Sequence, residues 1–326
     1  MNEIKTLYIL VPCYNESEVL PISSKVFKEK IYDLINKNMV SDKSKVVFVD
    51  DGSKDDTWEI IENLHKEDPV FSGVKLSRNR GHQNALLGGI STIINDCDLI
   101  VTIDADIQDD VNAIDKMVTE YYKGAEIVYG VRGSRATDTF FKRFTAQSFY
   151  KLMNLMGVDT VYNHADFRLM SSKAASGLLE FKEVNLFLRG MVPLIGYKTA
   201  SVTYDRAPRP AGESKYPLKK MLSFAFDGIT SFSVKPIRFI FFIGVISLFI
   251  SILLSLYAII SHITQHTVAG WTSILLTVCF FGSLQLIATG IIGEYIGKIY
   301  LEVKQRPRFI IEKYLTDKNG ESYEYN

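Results

Sequence analysis

Short apolar runs alternate with amphipathic segments along the N-terminal part of the chain. Each run ends in polar or turn-forming residues, which predicts a buried strand followed by a loop. The segments between the runs space their apolar residues as helices do. The predicted strands and their exits read TLYILVPCYN, KVVFVDDGS, FSGVKLSRNRG, DLIVTIDAD and AEIVYGVRG. This alternation predicts an α/β domain with a mostly parallel sheet and helices on both faces.

Polar clusters follow the predicted strands directly. They read CYNE, DDGS, DAD and VRGSR. In open α/β sheets ligands bind at the carboxyl ends of the strands. We therefore expect these clusters to meet at one edge of the sheet and to form the functional site.

The C-terminal part of the chain has a different composition. Phe239–Ile260 and Trp271–Gly293 contain no charged residue. Each can cross a hydrocarbon core of about 30 Å as a helix. The alternative, two buried helices of a soluble core, is disfavoured because such helices rarely stay uncharged on every face. We expect two transmembrane helices, at about 237–262 and 269–294.

The charges that flank these segments predict their orientation. The connecting loop SHITQHTVAG has no Lys or Arg, whereas both outer flanks carry several. The positive-inside rule then places both termini and the N-terminal domain in the cytoplasm. The predicted organisation is an α/β domain at 1–210, an amphipathic interfacial segment at 211–235, a transmembrane pair within 236–300 and a cytosolic tail at 301–326.

The bulk composition excludes several classes of protein. Lys plus Arg and Asp plus Glu both number 37, so the net charge of zero predicts neither an acidic partner nor a nucleic acid. Cys13, Cys97 and Cys279 are far apart and lack metal-ligand spacing. They argue against a disulfide framework and for a reducing compartment. The first apolar run is too short for a signal peptide and is better explained as a strand.

The segment VTIDADIQDD concentrates four carboxylates after an apolar strand. Asp104 and Asp106 flank the small Ala105, and at a strand end both could approach one cation. Mg²⁺ or Mn²⁺ prefers such oxygen ligands and keeps waters and substrate phosphates as its others. The alternative is a solvated turn before a helix, and we assign Asp109 and Asp110 to that role.

Five motifs in order carry a resemblance to a known family. They are VPCYNE, VDDGSKDDT, RNRGHQNA, DADIQDD and RPAGESKYPLKK, and the two apolar segments follow them. Together they resemble the family-2, GT-A-fold polyisoprenyl-phosphate glycosyltransferases, such as dolichol-phosphate mannose synthase and the bacterial undecaprenyl-phosphate glucosyltransferases. The resemblance covers nearly the whole chain. It implies a Rossmann-like GT-A domain followed by a two-helix transmembrane hairpin.

The resemblance also implies roles for the first motifs. The first two would hold the nucleoside of a nucleotide sugar, and the acidic loop its diphosphate. The residues so implied are Pro12, Tyr14 and Glu16 beside the base and ribose, Val49 and Asp51 against the base, and Asp104 and Ala105 at the diphosphate. Asp106 would be the principal metal ligand, with Asp104 and Gln108 beside it.

The implied acceptor is a lipid phosphate. Its second pKa is near 6, so at neutral pH it is already largely an anionic nucleophile and needs little general base. It needs cations to hold it. By family match these would be Arg132, Arg143, Arg209 and Lys215. Asp166 corresponds to a position that often carries a base or a sugar-binding carboxylate, and pairing with Arg168 is an equal alternative.

The implied reaction is an inverting transfer of glucose from UDP-glucose to undecaprenyl phosphate at the cytosolic face of a bacterial plasma membrane. GDP-mannose, UDP-N-acetylglucosamine and UDP-aminoarabinose remain alternative donors, and the resemblance suggests a tetramer. A processive polysaccharide synthase is a second alternative, although the chain lacks the Q-x-x-R-W element. A non-catalytic membrane assembly subunit is a third.

Overall fold

The computed structural model describes residues 3–133, 164–184, 186–205, 235–263, 270–316 and 323–324. Three of the predicted site residues, Arg143, Arg209 and Lys215, lie outside these ranges, as does nearly all of the predicted interfacial segment. The described residues divide into two compact units. One contains residues 3–133, 164–184, 186–205 and the described residues from 306 onward, and the other contains 235–263 and 270–305.

The first unit is built on a mixed sheet. Its strands are β1 Leu7–Cys13, β2 Lys45–Asp50, β3 Phe71–Leu76, β4 Leu99–Thr102, β5 Ile127–Arg132, β6 His164–Ser171, β7 Thr199–Tyr204, β8 Ile311–Leu315 and β9 Tyr323–Glu324. The order across the sheet is β7-β5-β6-β4-β1-β2-β3-β8-β9. Among these strands only β6 and β8 run against the rest. The prediction of a mostly parallel sheet is therefore confirmed.

Within the described residues, six helices lie between the strands of this unit. They are α1 Leu20–Asn36, α2 Thr57–Glu67, α3 His82–Ile93, α4 Ala113–Tyr122, α5 Ser172–Leu179 and α6 Leu188–Leu194. The core lies between the sheet and these helices, and β1 is buried along its whole length. Helix α3 packs closely on the sheet at Gly89. A Cβ atom at this position would lie 2.6 Å from the Val49 side chain.

Strand β8 differs from the predicted organisation. The sequence predicts a cytosolic tail at 301–326, and within it Ile311–Leu315 pairs with β3 in the antiparallel sense. Lys313 Nζ lies 2.8 Å from Glu62 Oε1, and the Tyr314 hydroxyl donates to Asp96 at 3.0 Å. The segment after the last long helix thus belongs to the same sheet as the N-terminal strands.

The second unit contains two long helices, α7 Lys235–Ile263 and α8 Trp271–Lys304. Both predicted apolar segments are therefore helical. Among the described residues one stretch, Phe280–Lys304, is long and apolar enough to cross a membrane. It begins and ends later than the predicted second span at 269–294. The first predicted span is not identified by the same criterion, so the two-span hairpin stays a prediction.

Candidate active site

The loop after β1 is tied to the loop after β2. Asn15 N–H donates to Ser53 Oγ at 3.0 Å, and Lys54 N–H donates to Asn15 Oδ1 at 2.9 Å. Glu16 N–H donates to Thr57 Oγ1 at 2.9 Å. Asn15 adopts a left-handed φ of 53°, which turns the chain sharply. The side chain of Tyr14 is left 41% exposed, as a stacking surface requires.

Pro12 and Val49 lie inside the sheet, where they are register partners on β1 and β2. Val49 is fully buried, and its side chain packs against α3 rather than facing solvent. A contact between Val49 and a nucleotide base therefore stays a prediction, and it would have to use atoms other than this packed side chain. Pro12, the register partner of Val49 on β1, is also buried.

The carboxylate of Asp51 organises the loop after β3. One of its oxygens accepts from Arg80 N–H at 2.7 Å and the other from Gly81 N–H at 2.8 Å. Burial raises the pKa of Asp51, while the two backbone N–H donors counteract that rise. A carboxylate oxygen has two lone pairs, so Asp51 could still accept from a base. Its role in holding the RNRG loop was not anticipated.

Asp50, which precedes Asp51, is completely buried. Its Oδ1 accepts from Ser53 N–H at 3.1 Å, whereas its Oδ2 has no hydrogen-bond partner among the described residues. Burial raises the pKa of Asp50. A buried carboxylate oxygen without a donor is unfavourable, so Asp50 is a further candidate acceptor at this edge of the sheet. Asp50 belongs to the same VDDGS motif, for which the resemblance implies a role only for Val49 and Asp51.

The acidic loop after β4 has an unusual backbone. Ile107 adopts φ of 51°, a left-handed conformation that is strained for a β-branched residue. Gln108 N–H donates to Asp106 Oδ1 at 3.2 Å. Asp106 is 9% exposed and Ala105 is buried, whereas the Asp104 side chain is 41% exposed. The bend thus keeps Asp106 inside the loop and presents Asp104 to solvent.

Asp104 lies in a strongly negative environment. Although the side chain is partly exposed, desolvation by the surrounding protein raises its pKa to about 6, the nearby His82 ring opposes that rise, and Asp166, Asp109 and Asp106 add to it. His82 Nε2 lies 3.7 Å from Asp104 Oδ1. A divalent cation would remove this repulsion, so the loop suits one. Within the described residues no group of three or more His, Cys, Asp or Glu side chains could hold a metal ion.

The assignment of Asp109 to the start of a helix is wrong. Asp109 is buried, accepts from the Tyr204 hydroxyl at 2.6 Å and lies 3.7 Å from Arg132 Nη2. Helix α4 begins at Ala113, after a turn in which Asp110 Oδ1 accepts from Asn112 N–H at 3.0 Å. Asp109 therefore joins the strand ends of β5 and β7 to the acidic loop.

Asp166 is held by two arginines. Its Oδ1 lies 2.7 Å from Arg168 Nη2, and its Oδ2 lies 3.1 Å from Arg189 Nη2. Burial alone would raise the pKa of Asp166, but the charges of Arg189, Arg168 and His82 hold it well below its ordinary value. A carboxylate this reluctant to take a proton is a poor general base. The pairing with Arg168, one of the predicted alternatives, is what the geometry shows.

Arg132 ends β5 beside this cluster. Its side chain is 27% exposed, and its Nε has no hydrogen-bond partner in the described part of the chain. Burial would lower the pKa of Arg132, but Asp109 and Tyr204 more than compensate, so it is raised. The side chain is a permanently charged guanidinium with donor capacity to spare, as expected of a residue that contacts phosphate.

Sequence reasoning missed His82, Arg189 and Tyr204. His82 was quoted within RNRGHQNA but given no role, and its ring lies between Asp104 and Asp166. Arg189 and Tyr204 belong to segments without a recognisable motif. Tyr204 reaches Asp109 at the end of β7, which pairs with β5, and Arg189 reaches Asp166 from helix α6.

Comparisons with known proteins agree with this geometry. Residues 8–179 match the family described as Glycosyl transferase family 2. The uncharacterized glycosyltransferase YkoT of Bacillus subtilis (strain 168) is 52% identical over 306 residues, covering 94% of this chain and 91% of that protein. The SfII prophage-derived bactoprenol glucosyl transferase of Shigella flexneri is 38% identical over 311 residues, covering 94% and 97%. With its GT-A-like sheet, this chain belongs to glycosyltransferase family 2 and is a glycosyltransferase.

Proposed function

We propose that the protein transfers a sugar, glucose from UDP-glucose, to a polyprenyl phosphate at the cytosolic face of a bacterial plasma membrane. The observation that carries the proposal is the state of Asp166, whose two oxygens are bound by Arg168 and Arg189. A hydroxyl acceptor would need a base to remove its proton, and this carboxylate is poorly suited to that task. A phosphate acceptor needs no base and gains from the surrounding arginines.

The relatives support the same acceptor. The Shigella flexneri protein is named a bactoprenol glucosyl transferase, and this chain aligns with it over nearly the whole of both proteins. Bactoprenol is a polyprenol, so a phosphorylated polyprenol is the acceptor that the name suggests. Glucose follows from the same name, and UDP-glucose is its expected donor.

We infer that Asp104 and Asp106 would hold Mg²⁺ or Mn²⁺, with Gln108 beside them. A bound divalent ion supplies charge neutralisation for a departing nucleoside diphosphate. Tyr14, Glu16 and Asp51 would hold the nucleoside, and the exposed face of Tyr14 is the best placed for stacking. The anionic acceptor would attack the sugar carbon opposite the leaving diphosphate, which inverts its configuration.

The apolar stretch Phe280–Lys304 of helix α8 supports a membrane location. Its apolar side chains include Leu286 and Val303, which are 76% and 75% exposed. Large apolar surfaces of this kind are unfavourable in water and suited to lipid. We propose that this helix spans the membrane and that Lys235–Ile263 is its partner in a two-span hairpin, with both termini in the cytoplasm and the chains assembled as a homo-oligomer.

A panel of labelled nucleotide sugars tests the proposed function. The purified protein would be given undecaprenyl phosphate, Mg²⁺ or Mn²⁺, and UDP-glucose, GDP-mannose, UDP-N-acetylglucosamine or UDP-aminoarabinose in turn. We expect labelled lipid from UDP-glucose, and none when the metal is removed with a chelator. The absence of labelled lipid with every donor, beside an active relative, would exclude the lipid phosphate acceptor.

A further inference from the structure

Asp109 contacts a hydroxyl and a guanidinium through the same oxygen. The Tyr204 hydroxyl donates to Asp109 Oδ1 at 2.6 Å, and Arg132 Nη2 lies 3.7 Å from that oxygen. Asp109 and Tyr204 are buried, whereas the Arg132 side chain is 27% exposed. The three residues therefore form one cluster that begins in the interior of the unit and reaches solvent at Arg132.

The sheet places two of these residues side by side. Arg132 and Tyr204 are register partners at the ends of the parallel strands β5 and β7, and Gly133 N–H donates to the Tyr204 carbonyl at 2.9 Å. The Tyr204 ring packs edge-on against Phe167 of β6, with the ring centroids 5.3 Å apart. The Tyr204 hydroxyl is thus held beside the acidic loop, which contributes Asp109.

The distance between Arg132 and Asp109 is too long for a hydrogen bond. The donor nitrogen and acceptor oxygen of such a bond lie about 2.7–3.2 Å apart. At 3.7 Å the Arg132 guanidinium is attracted to the carboxylate without donating to it through Nη2. The buried carboxylate receives its short hydrogen bond from Tyr204 instead. Burial and the Asp109 charge raise the pKa of Tyr204, so its hydroxyl keeps the proton that it donates.

The hydrogen bond from Tyr204 affects what Arg132 can do. A buried carboxylate needs donors, and without the Tyr204 hydroxyl the adjacent guanidinium of Arg132 would have to supply them. The guanidinium would then turn toward Asp109 and lose donors that an anionic ligand requires. At present Arg132 Nε has no hydrogen-bond partner among the described residues.

We propose that Tyr204 is a positioning residue for the acceptor phosphate and that it acts through Asp109 and Arg132. This inference rests on the proposed function, in which Arg132 contacts the phosphate of the lipid. Because Tyr204 supplies the hydrogen bond of Asp109, the carboxylate orients the Arg132 guanidinium without occupying its donors, which remain for the anion. Tyr204 itself does not contact the substrate.

Removal of one hydroxyl in the full-length protein tests this assignment. Tyr204→Phe keeps the ring that packs on Phe167, and we expect it to raise the KM for undecaprenyl phosphate about fivefold, a size typical of residues in one hydrogen-bonded network. Arg132→Gln should raise this KM about tenfold or more, because a charged phosphate contact is lost. The Kd for UDP with Mg²⁺, measured without lipid, should stay within about twofold in both variants.

The double variant separates positioning from a purely structural role. If Tyr204 acts through Arg132, adding Tyr204→Phe to Arg132→Gln should raise the acceptor KM no further. Tyr314→Phe is the matched control, because its hydroxyl also donates to a carboxylate, that of Asp96 at 3.0 Å, and Tyr314 lies on β8, outside the candidate site. The acceptor KM of this control should stay within about twofold of wild type.

Several results would overturn the assignment. One is a double variant whose acceptor KM rises by the product of the two single increases, since Tyr204 would then act independently of Arg132. Another is Tyr204→Phe with a wild-type acceptor KM, or with weakened UDP binding alone. If Tyr204→Phe does not fold, Asp109→Asn takes its place and the same comparison with Arg132→Gln decides. Failure of the wild-type protein to modify the lipid would instead reject the proposed function, and this inference with it.

Discussion

Asp166 is surrounded by more positive charge than one carboxylate can neutralise. Arg168 is buried beside it, and Arg189 and His82 face its other oxygen. This arrangement explains why its pKa is held below the ordinary value despite burial. A group with a depressed pKa stabilises the fold at all pH values above its ordinary pKa, and this contribution is lost only in strong acid.

Asp166→Asn should therefore destabilise the protein at neutral pH. The change leaves the buried Arg168 without an anion, and removing one partner of a buried ion pair costs about 3–5 kcal/mol. We expect a clear fall in the midpoint of thermal unfolding at pH 7.5. Asp110→Asn is the control because Asp110 is exposed. If the two variants had the same unfolding midpoint, the ion pairs of Asp166 with the arginines would not contribute to stability.

Asp104 has the opposite behaviour, since its pKa is raised to about 6. The ordinary value is about 3.9, so the folded state holds the proton more tightly and stability falls as pH rises from about 4 to about 6. Asp104→Asn should raise the unfolding midpoint at pH 7.5 and have little effect near pH 4. Because the side chain is partly exposed, solvent reduces the size of this effect.

Bound metal should reverse the difference in unfolding midpoint between the wild-type protein and Asp104→Asn. At pH 7.5, Mg²⁺ with UDP should raise the unfolding midpoint of the wild-type protein and leave Asp104→Asn nearly unchanged, because ligands stabilise the state that binds them. At pH 5 the wild-type response should weaken, since protons then compete for Asp104. An equal response of both proteins to Mg²⁺ would remove Asp104 from the metal site.

At the scale of elements, two loops approach each other without room for a side chain. Gly52 has φ of 64°, and a Cβ there would lie 2.5 Å from the carbonyl carbon of Arg78. This contact places the turn after β2 against the loop after β3, where Asp51 holds Arg80 and Gly81. The proposed nucleotide-binding side of the site thus depends on backbone packing between two loops.

Gly52→Ala should weaken UDP binding and lower stability. The substitution adds backbone strain of about 1–3 kcal/mol and a steric conflict with Arg78. Gly81→Ala is the matched control, because Gly81 also has a positive φ, of 87°, but a Cβ there meets nothing within 4 Å. Calorimetric titration with UDP should show a larger loss for Gly52→Ala. Equal losses of UDP affinity in the two variants would mean that backbone strain weakens binding and that the contact with Arg78 does not.

The elements also show what the sequence can predict. Strands β1 to β5 are buried apolar runs with turn residues at their ends, and local pattern suffices for them. Strand β8 follows a long helix and reads as a tail, because its partner β3 is more than two hundred residues away. Within the site, too, local motifs predict some residues, and contacts between distant segments determine others. The DAD motif predicted Asp104 and Asp106, whereas the Asp109–Tyr204 bond depends on tertiary structure.

At the scale of the whole molecule, the glycosyltransferase unit includes sheet strands both before and after the two long helices. The strands from Leu7 to Tyr204 and the segment from residue 306 share that sheet, so both must lie on the same side of any membrane. An even number of spans between them satisfies this requirement. The two helices Lys235–Ile263 and Trp271–Lys304 are the elements that could supply it.

Accessibility of the chain ends tests this topology. In sealed inside-out membrane vesicles, epitope tags at the N- and C-termini should both react with antibody, and in right-side-out vesicles neither should. The protein should also resist extraction with alkaline carbonate, as expected of a chain with membrane-spanning helices. Tags that react from opposite sides would contradict the two-span arrangement.

The most direct test of the central claim is the mass of the lipid product. Purified protein, UDP-glucose, Mg²⁺ and undecaprenyl phosphate would be incubated together, and the extracted lipid analysed by mass spectrometry. We predict undecaprenyl phosphate heavier by one hexosyl unit and still carrying a single phosphate, with an equal amount of UDP released. Unmodified lipid, with UDP-glucose either intact or merely hydrolysed to free glucose, would contradict the account.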